Sequence, residues 1–210
     1  MVDFKVGGFG PAGGVVIYDK GFLSSGWRFI EVSRNDLRLV KGIPSIDKQS
    51  ADYANSESRF IFGDYYDSNM RKPLPKRGPL FVNGKRSYNK KNCTVSEIGS
   101  GFLNTELLVQ SMGINAHCAN PSEITGFYAA RLCSLLEFSG FSDWFLPSSD
   151  ELDLLYSEQS NVLNGFANGF YWSSSEDPVN AGFAKGRFFG KGYQNGLRCN
   201  WGYVRPIRYF

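Results

Sequence analysis

The sequence predicts an α+β fold, two helices packed on short antiparallel strands, and three observations carry it. Aromatic residues make up 16% of the chain and glycine occurs 24 times in 210 residues. That pairing favours many short strands joined by tight turns over a helical bundle. Two β-rich runs, Val15–Tyr18 and Trp27–Val32, flank a Gly/Ser turn in the manner of a hairpin. The third observation is the stretch 140–152, GFSDWFLPSSDEL. Its Phe141, Trp144, Phe145 and Leu146 are too apolar for an exposed loop and anchor a core, and a helix follows them.

Taken in order, residues 1–10 read as a lead-in strand or arm before the hairpin. Residues 33–100 differ in kind, with polar runs and two basic clusters: Arg71, Lys72, Lys76 and Arg77, then Lys85, Arg86, Lys90 and Lys91. Phe60–Phe62 and Leu80–Val82 are short strands there, and Pro73, Pro75 and Pro79 mark loops. The segment reads as an insertion packed on the core of a single domain spanning 1–210. Thr105–Met112 is a short helix. Ser122–Phe138 is a longer one, with Ile124, Phe127, Tyr128, Leu132 and Leu135 on one face and Gly140 as its C-cap. Pro147 keeps Leu146 out of the helical region, and Ser148 and Glu151 have capping-box spacing. Leu152, Leu155 and Tyr156 continue that helix to about Asn161. Tyr171–Glu176 then reads as a strand leaving the core for a polar serine loop. Phe183–Phe189 and the closing Tyr203–Tyr209 are strands, around a core built on Trp27, Trp144 and Trp172.

The charge balance excludes more than it suggests. A net charge of +3 makes no case for a specific nucleic-acid partner. No run approaches the roughly 18 apolar residues of a membrane span. The opening Met1–Gly8 has no apolar signal core, so the sequence predicts either no export by that route or a trimmed or non-cellular gene product. The four cysteines, Cys93, Cys118, Cys133 and Cys199, form no Cys-x-x-Cys pair. They read as reduced thiols, with Cys133 buried on a helix, although a disulfide between two of them stays open. His117 is the lone histidine and reads as a loop residue. No phosphate loop, dinucleotide fingerprint or zinc spacing is present, so the chain is expected to be no enzyme and to need no cofactor.

Several motifs resemble those of the Lcl C-terminal domain family, which is named for a collagen-like bacterial adhesin. They are GPAGGVVIYDKG at 10–21 and GWRFIE at 26–31, DWFLPS at 143–148, YWSSSE at 171–176 and YVRPIR at 203–208, in the family's order. The resemblance covers essentially the whole chain except 33–100, where the family is shorter. It implies a C-type lectin-like fold, a binding or adhesion role at a bacterial or phage surface, and a homo-oligomer, a trimer in the family. Lectin-like folds often hold calcium, an ion that needs six to eight oxygens, and Asp143, Asp150, Glu151, Asp153, Glu176 and Asp177 are the carboxylates that could supply them. Asp150 and Glu151 are accounted for by a helix N-terminus, and Asp143 by backbone bonds at its turn, so no metal is expected. The distantly similar formylglycine-generating enzymes use a reactive cysteine pair. No two cysteines here stand at matched positions, so that activity is not carried over.

The block bracketed by the last two motifs, NAGFAKGRFFGKGYQNGLRCNWG at 180–202, interleaves glycine with aromatics and arginine. Such glycine density predicts surface loop or irregular strand, and Tyr, Trp, Arg and Asn are the types that binding surfaces favour. The expected ligand-binding residues are Gly182, Phe183, Arg187, Tyr193, Leu197, Arg198, Asn200 and Trp201, facing a protein or glycan. Retroelement-diversified lectin-like proteins vary a stretch near this position, and Gly182, Phe183, Arg187, Tyr193, Leu197, Arg198, Cys199 and Asn200 are all types reachable by mutating the adenines of asparagine codons; a diversified variable protein is therefore one expectation. The basic clusters at 71–91 are a second candidate, for sulfated glycans or another polyanion. A structural subunit of a phage particle or surface appendage is the alternative class.

Overall fold

The computed structural model describes residues 3–47, 58–63, 80–82, 85–87, 94–114, 116–117, 124–158, 163–177, 182–192, 195–197 and 200–210. It is a mixed α/β fold, with three helices and several small antiparallel sheets among those residues. The chain opens with β1 (Val15–Ser24) and β2 (Trp27–Val32), then β3 (Arg38–Val40), β4 (Ile43–Ser45), β5 (Leu80–Val82) and β6 (Lys85–Ser87). Helix α1 (Gly101–Met112) follows, then β7 (Ala116–His117), β8 (Ile124–Thr125), α2 (Ala129–Ser134) and α3 (Ser149–Glu158). The last strands are β9 (Phe170–Glu176), β10 (Phe183–Phe188), β11 (Asn195–Leu197) and β12 (Ile207–Tyr209).

The predicted hairpin forms: β1 and β2 pair antiparallel around Ser25 and Gly26, both at positive φ, as the twist of a two-residue turn requires. β12 adds to the other edge of β2, giving a sheet of order β1-β2-β12 that joins the two ends of the described chain. A second sheet has order β11-β10-β9. Between them runs the 140–152 stretch. Trp144 enters one core cluster with Phe60, Phe62, Leu132 and Trp172, while its neighbour Phe145 enters the other with Ile30, Leu155, Tyr171 and Ile207. Successive residues of an extended chain face opposite ways, so this short run stitches the two halves of the core together.

The capping box is present. The Ser148 N–H donates to Glu151 Oε2 (2.7 Å), and the Glu151 N–H donates to Ser148 Oγ (3.3 Å). Leu80–Val82 is a strand with the predicted bounds. Phe60–Ile61 form isolated bridges, to Gly202 and Tyr128, and with Phe62 they are buried in the core. The described parts of 33–100 thus contribute core residues, Leu37 and Ile46 among them.

Four expectations are corrected. The described residues contain three helices, not two. The helix expected over Ser122–Phe138 is only α2; Ile124–Thr125 pairs with β7, and Tyr128 is held extended (φ −120°, ψ 156°) by a bridge to Ile61. Tertiary pairing overrides the helical periodicity, leaving Phe127 and Leu135 exposed. Gly140 is no helix cap, since Ser139 and Gly140 at positive φ form a tight turn between Phe138 and Phe141. The serine run is not a loop: Ser173, Ser174 and Ser175 are buried in β9, with hydroxyls donating to the carbonyls of Lys185 (2.8 Å), Pro147 (3.1 Å) and Val95 (2.7 Å).

Cys133 is fully buried in α2 and has no disulfide partner. Burial pushes its thiol well above the usual range, which suppresses the reactive thiolate. Iodoacetamide should therefore leave the Cys133 peptide unmodified in the native protein and label it fully in denaturant. Peptide mass mapping reads this directly, and native-state labelling would contradict the packing.

Candidate functional site

The motif residues are occupied inside the fold. Glu31 is buried on β2, and its carboxylate accepts from the N–H groups of Ala12 (3.1 Å) and Gly14 (2.7 Å). A Cβ on Gly10 would lie 2.4 Å from Glu31 Cδ, so the GPAGG turn is glycine-rich because it wraps a carboxylate. Arg208 completes the site: it donates to Glu31 Oε2 (3.0 Å) and, through two nitrogens, to both oxygens of Asp143 (2.8 Å each). Asp143 therefore serves a guanidinium rather than the backbone bonds expected of it. Arg205 is fully buried, donating to Asp36 Oδ1 (2.6 Å) and to the carbonyls of Arg34 and Gly165 (2.7 Å each). The Tyr171 hydroxyl donates to the other Asp36 oxygen (2.7 Å), and burial beside that carboxylate pushes the phenol far up, keeping it protonated. Glu151, buried at the start of α3, accepts from Tyr209, Gly99 and Ser148. Burial pushes its carboxyl up, against those three donors, which favour the charged form.

These groups have the chemistry of structural ties. Each carboxylate is held by its arginine or its backbone donors, and Asp153 meets Arg187 at 2.7 Å. Among the described residues, no group of three or more His, Cys, Asp or Glu converges on a point where a metal could be held. Nor is any described helix long and apolar enough to cross a membrane.

The expected binding residues fall into three groups. Phe183 and Leu197 are paired across β10 and β11, with Gly182 just ahead and partly buried. Arg187 on β10 lies 4.0 Å from the Tyr156 ring centroid while it pairs with Asp153, so α3 holds its guanidinium. Asn200 and Trp201 are exposed; Tyr193 and Arg198 lie outside the described residues, as do the basic residues of 71–77 and Lys90–Lys91. Gly196, beside Leu197, and Gly202, beside Trp201, both pack on the Phe170 and Trp172 rings, so these two segments lie close together.

Sequence reasoning missed why this block is glycine-rich. A Cβ on Gly186 would stand 2.3 Å from Phe170 Cζ, one on Gly196 2.9 Å from the same atom, and one on Gly202 2.8 Å from the Trp172 ring. The Phe170 and Trp172 rings meet edge to face at 4.7 Å and press against three glycine backbones from three segments. These glycines are packing surfaces, and the signal for them was the aromatic pair Phe170 and Trp172, two residues apart on β9. The register shift between Ala184 and Gly186 is the irregularity that the glycine density predicted.

Compared with known proteins, the chain matches no family model, and no curated protein matches it.

Proposed function

We propose that this chain is a binding or adhesion module of C-type lectin-like fold, whose surface around 182–202 engages a protein or glycan on a cell or phage. The lectin-like reading is supported by the sheet that unites the first hairpin with the last strand, and by a second small sheet carrying the glycine-rich block. One observation carries the functional reading. Trp201 is 56% exposed, yet its neighbour Gly202 exchanges both backbone hydrogen bonds with Phe60 (2.8 and 2.9 Å) and packs on Trp172. A large aromatic held out in water on a rigid backbone loses little entropy on contact and suits a hot spot.

The test is a glycan and cell-surface binding screen of the purified protein, with calcium, with chelator, and at two salt concentrations. Trp201→Ala should leave the melting temperature unchanged and weaken binding by roughly 30-fold, the effect of a ~2 kcal/mol hot spot. Unchanged affinity in that variant would overturn the surface assignment. Binding lost only as salt rises would move the site to the 71–91 clusters, because exposed charge contacts are screened. No binding at all would favour the structural-subunit reading, which the exposed Phe22 and Leu23 near the β1–β2 tip support as an assembly contact.

A further inference from the structure

A cleft of about 850 Å³ shares no lining residue with the 182–202 surface. The glycine turn before β1, the segment after β2, the end of the β3–β4 hairpin and residues 163–165 form its walls. Phe9 lies at this cleft with 66% of its surface exposed, and the Arg34 guanidinium is 5.6 Å from its ring centroid. Asp47 and Asn164 are exposed on the same lining. Trp144 also lines it, only 2% exposed, and its indole N–H has no acceptor among the described residues. A buried donor left unsatisfied is costly, so its presence beside a cleft asks for an acceptor there.

The charges select the ligand class. Arg34 and Asp47 contribute one charge of each sign to the lining, and the third charged lining residue, Arg205, is matched by Asp36 at 2.6 Å. No net charge remains to favour an anion or a cation. What is left is a flat apolar ring, an amide and an orphan N–H, which together suit hydroxyl groups that both donate and accept. The volume lies in the range of small-molecule sites, roughly 300–1,000 Å³. We infer that this cleft binds a small neutral polyhydroxylated ligand, a mono- or disaccharide. One face of the sugar covers Phe9, Asn164 meets its hydroxyls, and a sugar oxygen accepts from Trp144. The inference stands independently of the display surface.

The experiment titrates the ¹⁵N-labelled full chain with glucose, galactose, N-acetylglucosamine, maltose and lactose at millimolar concentration, and with glucuronate and glucosamine as charged controls. The tryptophan indole cross-peaks, assigned by triple-resonance spectra, are the readout. At least one sugar should move the Trp144 indole peak to saturation. Phe9→Ala and Asn164→Ala, both exposed and outside the core, should each weaken that response by roughly tenfold at an unchanged melting temperature, about one lost contact each. Trp201→Ala should leave it intact, so failure here and failure of the display surface are distinguishable. The inference is overturned if none of these sugars shifts the peak, if only glucuronate or glucosamine does so, or if Trp201→Ala abolishes the response while Phe9→Ala spares it.

Discussion

Arg205→Ala should destabilise the protein by about 3–5 kcal/mol, the range for breaking a buried ion pair by removing one partner. The guanidinium is inaccessible to solvent, bonds Asp36 at 2.6 Å, serves the carbonyls of Arg34 and Gly165, and covers the Phe166 ring at 4.1 Å. Truncation removes that counter-charge from a buried carboxylate and takes one donor away from each carbonyl. The double variant Asp36→Asn with Arg205→Met should recover part of the loss, because the uncompensated charge goes with the pair. Denaturant unfolding followed by circular dichroism measures both. A loss below about 1 kcal/mol in the single variant would mean the pair contributes no more than a surface bridge.

Trp172→Ala should cost a similar amount, about 3–5 kcal/mol, the usual range for truncating a buried tryptophan. The ring fills the space between Phe62 (5.5 Å) and Phe170 (4.7 Å), and its N–H donates to the Phe60 carbonyl at 2.9 Å. Its loss would also withdraw the wall against which Gly196 and Gly202 pack. Tryptophan content does not govern the outcome, since Trp201→Ala removes the same side chain from solvent and should leave unfolding unmoved. If the two variants lost equal stability, residue 201 would belong to the core and the display reading would fall with it.

What the sequence made legible was local. The β1–β2 hairpin follows from two β-rich runs around a turn, and the capping box from Ser148 and Glu151, three residues apart. Both are decided within a few residues. The helix expected over Ser122–Phe138 was lost because Ile61, more than sixty residues upstream, holds Tyr128 extended. Periodicity cannot register such a partner. The role of Asp143 was misread for the same reason, its guanidinium arriving from residue 208. The candidate surface was legible in composition, through Trp201 and Asn200. Its glycines were not, because a close approach is visible only once the Phe170 and Trp172 rings are in place.

The buried ion pairs also constrain how the molecule comes to be folded. Asp36 and Arg205 are 169 positions apart, and Glu31 and Arg208 are 177 apart. While the chain is being synthesised, the first hairpin and the segment just after it carry both acids before either arginine exists. Contacts this distant slow folding, because loop-closure entropy is spent before they reward it. Neither pair can close until residues 205–208 have left the ribosome, so the yield of folded protein in a cell should depend on how well that interval is chaperoned.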